Sequence, residues 1–578
     1  IQLNKAWPDT RDSFYNLFIE KDGSLKNENL LKKRILGLTS YFKSAQEELL
    51  PKYDENFDAV VEKIPMSNFQ LNEYEKARME ERKQDKKNAR NKKKNKLDKI
   101  GSTYRIFSRL FCNFVFPNED VDGGLLKRPM PRENQNLKQS INTAKADKEL
   151  DEDLIDAKNS DDIVDNMDGR YETEDNVEID NKIKELTDVS YKDRINKALK
   201  LLKENADTFL STEGLTRYGP KFLRMLSNIE NPKHKGLHLI YSQFRTLEGI
   251  GIFKLILEHN GYVEFKIKKN DNNEWIIDIK DEDRGKPTFA LYTGEEDVEE
   301  KEIIRYIFNG EWNKIPTSLN NELTAIDKNN NYGNIIKIFM ITSSGAEGIT
   351  LKNVRHVHIT EPYWHPVRSE QVIGRARRIC SHKDLIPEDR TVKTFLYLMT
   401  FSKFQLKGNP DDEDKKKREP LISKELNKKD KGKLKDEDGN IRLVTTDESL
   451  HEISTIKKNT NNNLLNAIKS SSIDCNLHNN SKSGESHACY IFNAQSNDEF
   501  SSKPSYAIDD SDTVEKLNKK KILWEGYELT INKQKYTFRP LDDDPKNKKL
   551  LIGSLYDYDS YKQSLKTGSN PIFLRKLI

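Results

Sequence analysis

From about Tyr191 to Lys403 the chain alternates short apolar runs with helical patterns, and this alternation constrains the fold more than any other feature. The apolar runs are Leu237 to Tyr241, Ile335 to Thr342, His356 to Thr360 and Thr394 to Met399, while Leu247 to Leu257 and Pro366 to Arg378 carry helical spacing. Strands alternating with helices at this pace predict an α/β domain, a parallel sheet wrapped by crossover helices. In such sheets ligands bind outside the carboxyl ends of the strands, so the loops there are the first place to look for chemistry. No fixed-period repeat overlays the pattern.

The rest of the chain is dominated by segregated charge. Arg82 to Lys99 holds ten basic and two acidic residues, and Asp147 to Asp180 holds fifteen acidic and three basic ones. Neither sustains an apolar stripe, so both are expected to be disordered inserts that cannot offset their ordering entropy. Lys407 to Asn440 mixes both signs with two Pro and three Gly and is expected to be a linker. The 98 basic and 95 acidic residues nearly cancel, so net charge alone excludes no partner. Four cysteines exclude a disulfide scaffold and fit a reducing compartment. The longest apolar run, Ile335 to Ile341, contains Lys337 and falls far short of the ~18 residues of a membrane span. The first residue is Ile1, which leads us to expect a piece of a longer protein.

The expected organisation is then a helical segment (1–76), a basic insert (77–103), an aromatic insertion (104–135), an acidic insert (136–190), the α/β domain (191–406), a charged linker (407–440) and a C-terminal extension (441–578). Helical spacing in Leu30, Leu31, Ile35 and Leu36, followed by Gly37, and an extended stretch near Pro65 mark the first segment. Phe107, Phe111, Phe114 and Phe116 sit among other apolar residues and are expected to form a core or interdomain wedge rather than a base-stacking platform.

Two loops of the α/β block have unusual composition. After the strand ending at Thr342 comes Ser343-Ser344-Gly345-Ala346-Glu347-Gly348-Ile349-Thr350-Leu351, whose glycines allow close backbone approach to a phosphate or sugar. An unliganded glycine turn is the plain alternative. After the strand ending at Thr360, a helix beginning at Pro366 places Gln371, Gly374, Arg375 and Arg378 at i, i+3, i+4 and i+7, one face of one helix. One amide and two guanidinium groups around a glycine gap suit the spreading charge of a phosphoryl transfer. A solvated arginine-rich helix is the alternative.

Gln371-x-x-Gly374-Arg375-x-x-Arg378 resembles motif VI of superfamily 2 helicases, and Gly345-x-x-Gly348-x-x-Leu351 resembles motif V. Ser242-Gln243-Phe244 is similar to motif IV, and Trp364-His365-Pro366 to a step before motif VI, of the chromatin-remodeller branch. Met66-Ser67 with Gln70 and Tyr74, the segment Cys112 to Pro117, Asp447-Glu448 and Ile473-Asp474-Cys475 are similar to the helicase-like nucleoside triphosphatases of large DNA viruses. That group includes a poxvirus early transcription factor subunit and the poxvirus nucleoside triphosphate phosphohydrolase.

The resemblance implies that 191–406 is the second RecA-like domain of an ATP-dependent helicase or translocase acting in viral transcription or DNA handling. It implies that Arg375 and Arg378 act catalytically on the γ-phosphate, and that Gln371, Gly374, Gly345 and Gly348 help bind the nucleotide, with ATP and Mg²⁺ held mainly by a first motor domain missing from this chain. Ser242, Gln243 and Ser344 would meet the backbone of DNA or RNA. The implied partners are a first RecA-like domain, in the same or a separate chain, and a viral RNA polymerase, in a virion or cytoplasmic viral factory and away from membranes. No Gly-x-x-x-x-Gly-Lys followed by Ser or Thr occurs, and the acidic quartet Asp151 to Leu154 follows no apolar strand. The chain by itself is therefore expected to be inactive, with an inactive nucleic-acid-binding or transcription-complex scaffold as the alternative function. Cys475-x-x-His478 with His487-x-Cys489 reads either as zinc ligands or as unconnected surface residues. Cys112 and Cys380 are expected to be small packed residues.

Overall fold

The computed structural model describes residues 7–41, 49–94, 105–130, 177–293, 297–342, 348–408, 419–434, 439–475, 489, 527–531, 534–540, 553–567 and 573–577. The chain divides into two compact units, Lys21–Ser24 with Ser44–Asn461, and Ile1–Glu20 with Leu25–Lys43 and Asn462–Ile578. The larger is built on seven strands: β1 (Ala59–Pro65), β2 (Leu237–Tyr241), β3 (Val263–Glu264), β4 (Thr288–Tyr292), β5 (Ile338–Ile341), β6 (Val354–Ile359) and β7 (Lys393–Thr400). Their spatial order is β1, β7, β6, β2, β5, β4, β3, and every neighbouring pair is parallel. This is the α/β architecture that the alternation predicts.

The central strands are buried on both faces, and β2 and β5 are mostly apolar. Leu239, Tyr241, Phe339 and Ile341 enter one core with the helices Val298–Phe308, Thr317–Ile326 and Pro366–Ala376. Ile240, Ile338, Met340 and Phe395 enter the other, with the helices Val177–Glu204, Pro220–Glu230 and Ile250–His259. The aromatic insertion belongs to the fold: Ile106–Asn113 is a helix buried at every position, and Phe114 and Phe116 are buried after it. β1, contributed by the expected helical segment, pairs along its whole length with β7, so the sheet extends beyond 191–406.

Two charged stretches depart from expectation. Arg82 to Lys94 continues the helix Asn68–Lys94 rather than forming a disordered insert. The buried root, with Leu71, Tyr74 and Ala77 against the core, supplies the nucleus, and the Lys, Arg, Gln and Ala that follow have high helix propensity. Within the expected linker, Ile422 and Leu426 are buried, and Ser423 caps the helix Lys424–Lys429 by accepting from the Leu426 amide. Burying these two apolar residues and capping the helix gives this stretch of linker-like composition a folded core contact. Residues 95–99, most of the acidic insert with its Asp151–Leu154 quartet, and 409–418 lie outside the described residues.

The smaller unit contains the helices Arg11–Phe18 and Glu28–Ile35, the latter at the expected position. It also has a four-stranded antiparallel sheet, Tyr527–Ile531, Gln534–Pro540, Gly553–Asp557 and Phe573–Leu577 in that order. Cys475 and Cys489 form a disulfide with Cα atoms 5.7 Å apart, which departs from the expectation of reduced thiols. His478 and His487 lie outside the described residues. Cys112 is buried as expected, whereas Cys380 is exposed, in the left-handed region at φ 58°. No helix of the described residues is long and apolar enough to cross a membrane.

Across β2, β6 and β7 runs a chain of buried polar groups. Asn228 donates to the Tyr397 hydroxyl at 3.0 Å, which meets His358 Nδ1 at 2.8 Å; His358 Nε2 meets His238 Nδ1 at 3.0 Å, and His238 Nε2 meets the His234 carbonyl at 3.1 Å. Every donor finds an acceptor only if both rings are neutral. Burial accordingly pushes His238 and His358 well below the ordinary histidine range, and His356, stacked on His238, down to about 3. With folded pKa values depressed, the unfolded chain binds more protons, so this contribution is intact above about pH 6.5 and is lost as pH falls toward the folded values. Three such groups give a slope of about 4 kcal/mol per pH unit below that point. The fall in melting temperature from pH 7 to 5 should therefore be markedly shallower in a His238→Leu/His358→Phe variant. Parallel curves for variant and wild type would exclude the histidines as its source.

Candidate functional site

The two loops that the sequence singles out lie at the carboxyl ends of β5 and β6. Residues 343–347, including Ser344 and Gly345, lie outside the described residues, and the first loop resumes at Gly348 with φ +76°, a conformation that favours glycine. Ile349 and Leu351 are buried and anchor the remainder of this loop. Asn309, at the end of the helix Val298–Phe308, donates to the Thr350 carbonyl at 3.0 Å and accepts from the Lys352 amide at 2.9 Å. Lys352 Nζ also reaches Glu311 at 2.9 Å. The Ile349–Lys352 segment is thus held from behind by a buried amide.

The helix Pro366–Ala376 starts where proline permits, with His365 Nδ1 accepting from the Val367 amide at 3.3 Å. Val372 and Ala376 are buried against the sheet, and Gln371 is exposed on another side. A Cβ at Gly374 would meet nothing within 4 Å, so the notch beside Arg375 is open to the described residues. The helix ends at Ala376, and Arg377 already has non-helical φ −107° and ψ 71°. Arg378 is therefore not the fourth member of a helical face, as its spacing predicts. It converges with Arg375 by another route: Arg375 Nη1 donates to the Ile349 carbonyl at 3.3 Å, and Arg378 Nη1 donates to the Thr350 hydroxyl. Both guanidinium groups brace on the segment that Asn309 holds. Arg377 instead lies 4.1 Å over the Tyr53 ring, whose hydroxyl is 3.3 Å from Thr394 Oγ1.

Ser242 and Gln243 are buried and bonded within the chain. Ser242 Oγ donates to Glu361 at 2.6 Å, the Gln243 amide donates to the same carboxylate at 3.0 Å, and the Gln243 side-chain oxygen accepts from Arg109. Both residues are buried, because Glu361, fully buried beyond β6, requires donors. Burial raises the Glu361 carboxyl above its ordinary range, against the lowering effects of Ser242, Lys221, the Gln243 amide and Arg109.

A relay unforeseen in the sequence continues from there. Asn113 donates to Glu361 at 2.7 Å and accepts from Lys221 at 2.8 Å; Lys221 pairs with Asp447 at 2.6 Å, and Asp447 accepts from the Met399 amide at 3.1 Å. It crosses the carboxyl ends of β2, β6 and β7 and ties in the aromatic insertion and the helix Thr446–Ser471. An acid directly after an apolar strand, as in Thr360-Glu361, is the available signal. Lys221, on an amphipathic helix, carries none. Among the described residues no group of three or more His, Cys, Asp or Glu side chains is arranged to hold a metal.

Residues 271–380 match the helicase conserved C-terminal domain, and this range contains β4 to β6, both loops and the arginines. The chain carries a helicase C-terminal domain. It is 26% identical to an Acanthamoeba polyphaga mimivirus protein named "Putative ATP-dependent RNA helicase R350", over 92% of this chain and 59% of that protein. A second mimivirus protein, "Putative ATP-dependent RNA helicase R563", is 32% identical over 33% of this chain and 28% of that protein. The "Termination factor NPH-I homolog" of African swine fever virus (isolate Pig/Kenya/KEN-50/1950) is 27% identical over 50% of this chain and 36% of that protein. The helicase C-terminal domain here thus has viral homologues, and the chain spans less than two thirds of each of them.

Proposed function

We propose that this chain is the second motor half of an ATP-dependent nucleic-acid helicase or translocase of a large DNA virus, acting in viral transcription or DNA handling. The observation that carries the reading is the convergence of Arg375 and Arg378 on Ile349 and Thr350, beside the open notch at Gly374. Two guanidinium groups, with Gln371 exposed on the same helix, are suited to the γ-phosphate of an ATP held by a partner domain. Gly348, with Gly345 and Ser344 in the same loop, would couple that site to a nucleic-acid backbone. Ser242 and Gln243 would contribute by shaping that loop's surroundings through Glu361 rather than by contact.

The chain has no phosphate-cradling Gly-x-x-x-x-Gly-Lys-Ser/Thr run, so the β- and γ-phosphates and Mg²⁺ would be held by a first RecA-like domain, in the same polypeptide or a separate subunit. A viral RNA polymerase is the further partner that this reading implies. The purified 578-residue chain should accordingly show no ATP turnover above background, with or without DNA or RNA. Turnover that disappears in Gln371→Ala would overturn the two-domain reading, because it would place a complete nucleotide site within this chain.

A further inference from the structure

Beyond β1 the helix Asn68–Lys94 has two halves of opposite character. Its root is buried and bonded: Tyr74 meets Thr446 at 3.0 Å, Glu81 accepts from the Ser108 amide at 3.0 Å, and Arg78 and Arg82 both pair with Asp430. Past Arg82 the only apolar residue before Lys94 is Ala89, so the tip offers nothing to a core. At 3.6 residues per turn, Lys83, Lys86, Lys87, Arg90, Lys93 and Lys94 fall within about 120° of the circumference. Asp85, the only acidic position there, lies about 140° from the centre of that stripe. Lys83 makes a 2.6 Å pair with Glu80 at the base of the stripe.

Such a stripe opposes the stability of its own helix. Lys83 with Lys87, Lys86 with Arg90, and Arg90 with Lys94 are like charges at i, i+4, each costing a few tenths of a kcal/mol. A polyanion along the stripe would remove that repulsion. The stripe's length of about 17 Å matches about five phosphates of one strand at roughly 3.4 Å each.

We infer that the Lys83–Lys94 stripe is a nucleic-acid-binding arm that lies along a phosphate backbone without reading sequence. The inference rests on the nucleic-acid reading above but assigns the contact to a helix outside the matched domain. The decisive experiment titrates the full chain with a 20-base-pair duplex and the corresponding single strand over a salt series. It compares wild type with a variant in which Lys86, Lys87, Arg90, Lys93 and Lys94 are changed to Gln, which preserves helix propensity. Without those five cations the duplex log–log slope should fall by about 2 to 4.5, since each neutralised phosphate adds about 0.9, and affinity should drop at least tenfold at low salt. A charge-conserving variant, Lys87→Asn/Asn88→Lys/Arg90→Asn/Asn91→Arg, disperses the stripe and should lower the slope by about 1 to 2. Wild-type binding with unchanged slopes in both variants overturns the arm and leaves the helicase reading standing. No wild-type binding to either nucleic acid overturns both.

Discussion

In a complete motor containing this chain, Arg378→Ala should lower nucleic-acid-stimulated ATP turnover by on the order of 10³- to 10⁵-fold, the range that a positioned arginine contributes to phosphoryl transfer. Arg375→Ala should fall in the same range. Both side chains are aimed by one segment, Ile349–Thr350, so Asn309→Ala, which releases that segment from behind, should reproduce part of the loss by lowering kcat more than it raises KM. Arg377→Ala supplies the contrast. Its guanidinium lies over Tyr53, so its removal should lower the melting temperature by forfeiting roughly 0.5 to 2 kcal/mol of cation–π attraction while largely sparing turnover. The measurement is ATPase activity for the four variants beside their thermal melts. Equal turnover losses at Arg375, Arg377 and Arg378, or losses that track unfolding, would make the whole turn structural and sink the motor reading.

The contrast among these neighbouring arginines marks where the sequence is legible. Pro366 fixes the start of their helix, because proline at the first turn needs no amide donor, and the observed start is the same residue. The end is not legible, since Arg377 and Arg378 are good helix formers and carry no stop signal. The stop is tertiary: Arg377 is drawn onto Tyr53, and the Cys380 amide bonds the Leu49 carbonyl, both more than 300 residues away in sequence. The buried strand β2 is legible at its observed bounds because four of its five residues, Leu237, Leu239, Ile240 and Tyr241, are apolar and all five are buried. β1 is legible only as an extended stretch, since an edge strand with only Ile64 fully buried lacks that pattern, and its partner lies in β7. Charge misleads most where a buried anchor lies next to it, as with Tyr74 before the basic run and Leu426 within the charged linker. At the site, motif spacing finds Ser242 and Gln243 but not Glu361, because no local pattern reveals that this buried carboxylate accepts from the Ser242 hydroxyl and the Gln243 backbone amide.

The relay through Glu361 carries the largest expected effect on folding. Lys221 and Asp447 are both fully buried and 2.6 Å apart, so removing either leaves an uncompensated charge in a low-dielectric interior. Lys221→Met and Asp447→Asn should each destabilise the larger unit by about 3 to 5 kcal/mol, a large share of the roughly 5 to 15 kcal/mol of a typical fold. Asn keeps an acceptor for the Met399 amide, so this variant isolates the stranded lysine rather than the broken strand end. The double variant Lys221→Met/Asp447→Asn removes both charges and should be clearly less unstable than the sum of the single losses. Some deficit will remain, because Asn113 loses the donor to its side-chain oxygen, an unmet hydrogen bond worth about 1 to 3 kcal/mol. Urea denaturation of the four proteins gives the coupling energy directly. Single losses below about 1 kcal/mol, or strictly additive ones, would mean that the pair is solvated in solution. Large coupling would instead make the carboxyl edge of the sheet a single electrostatic unit, in which the aromatic insertion and the Thr446–Ser471 helix set the environment of the loop before Arg375 through Asn113 and Glu361.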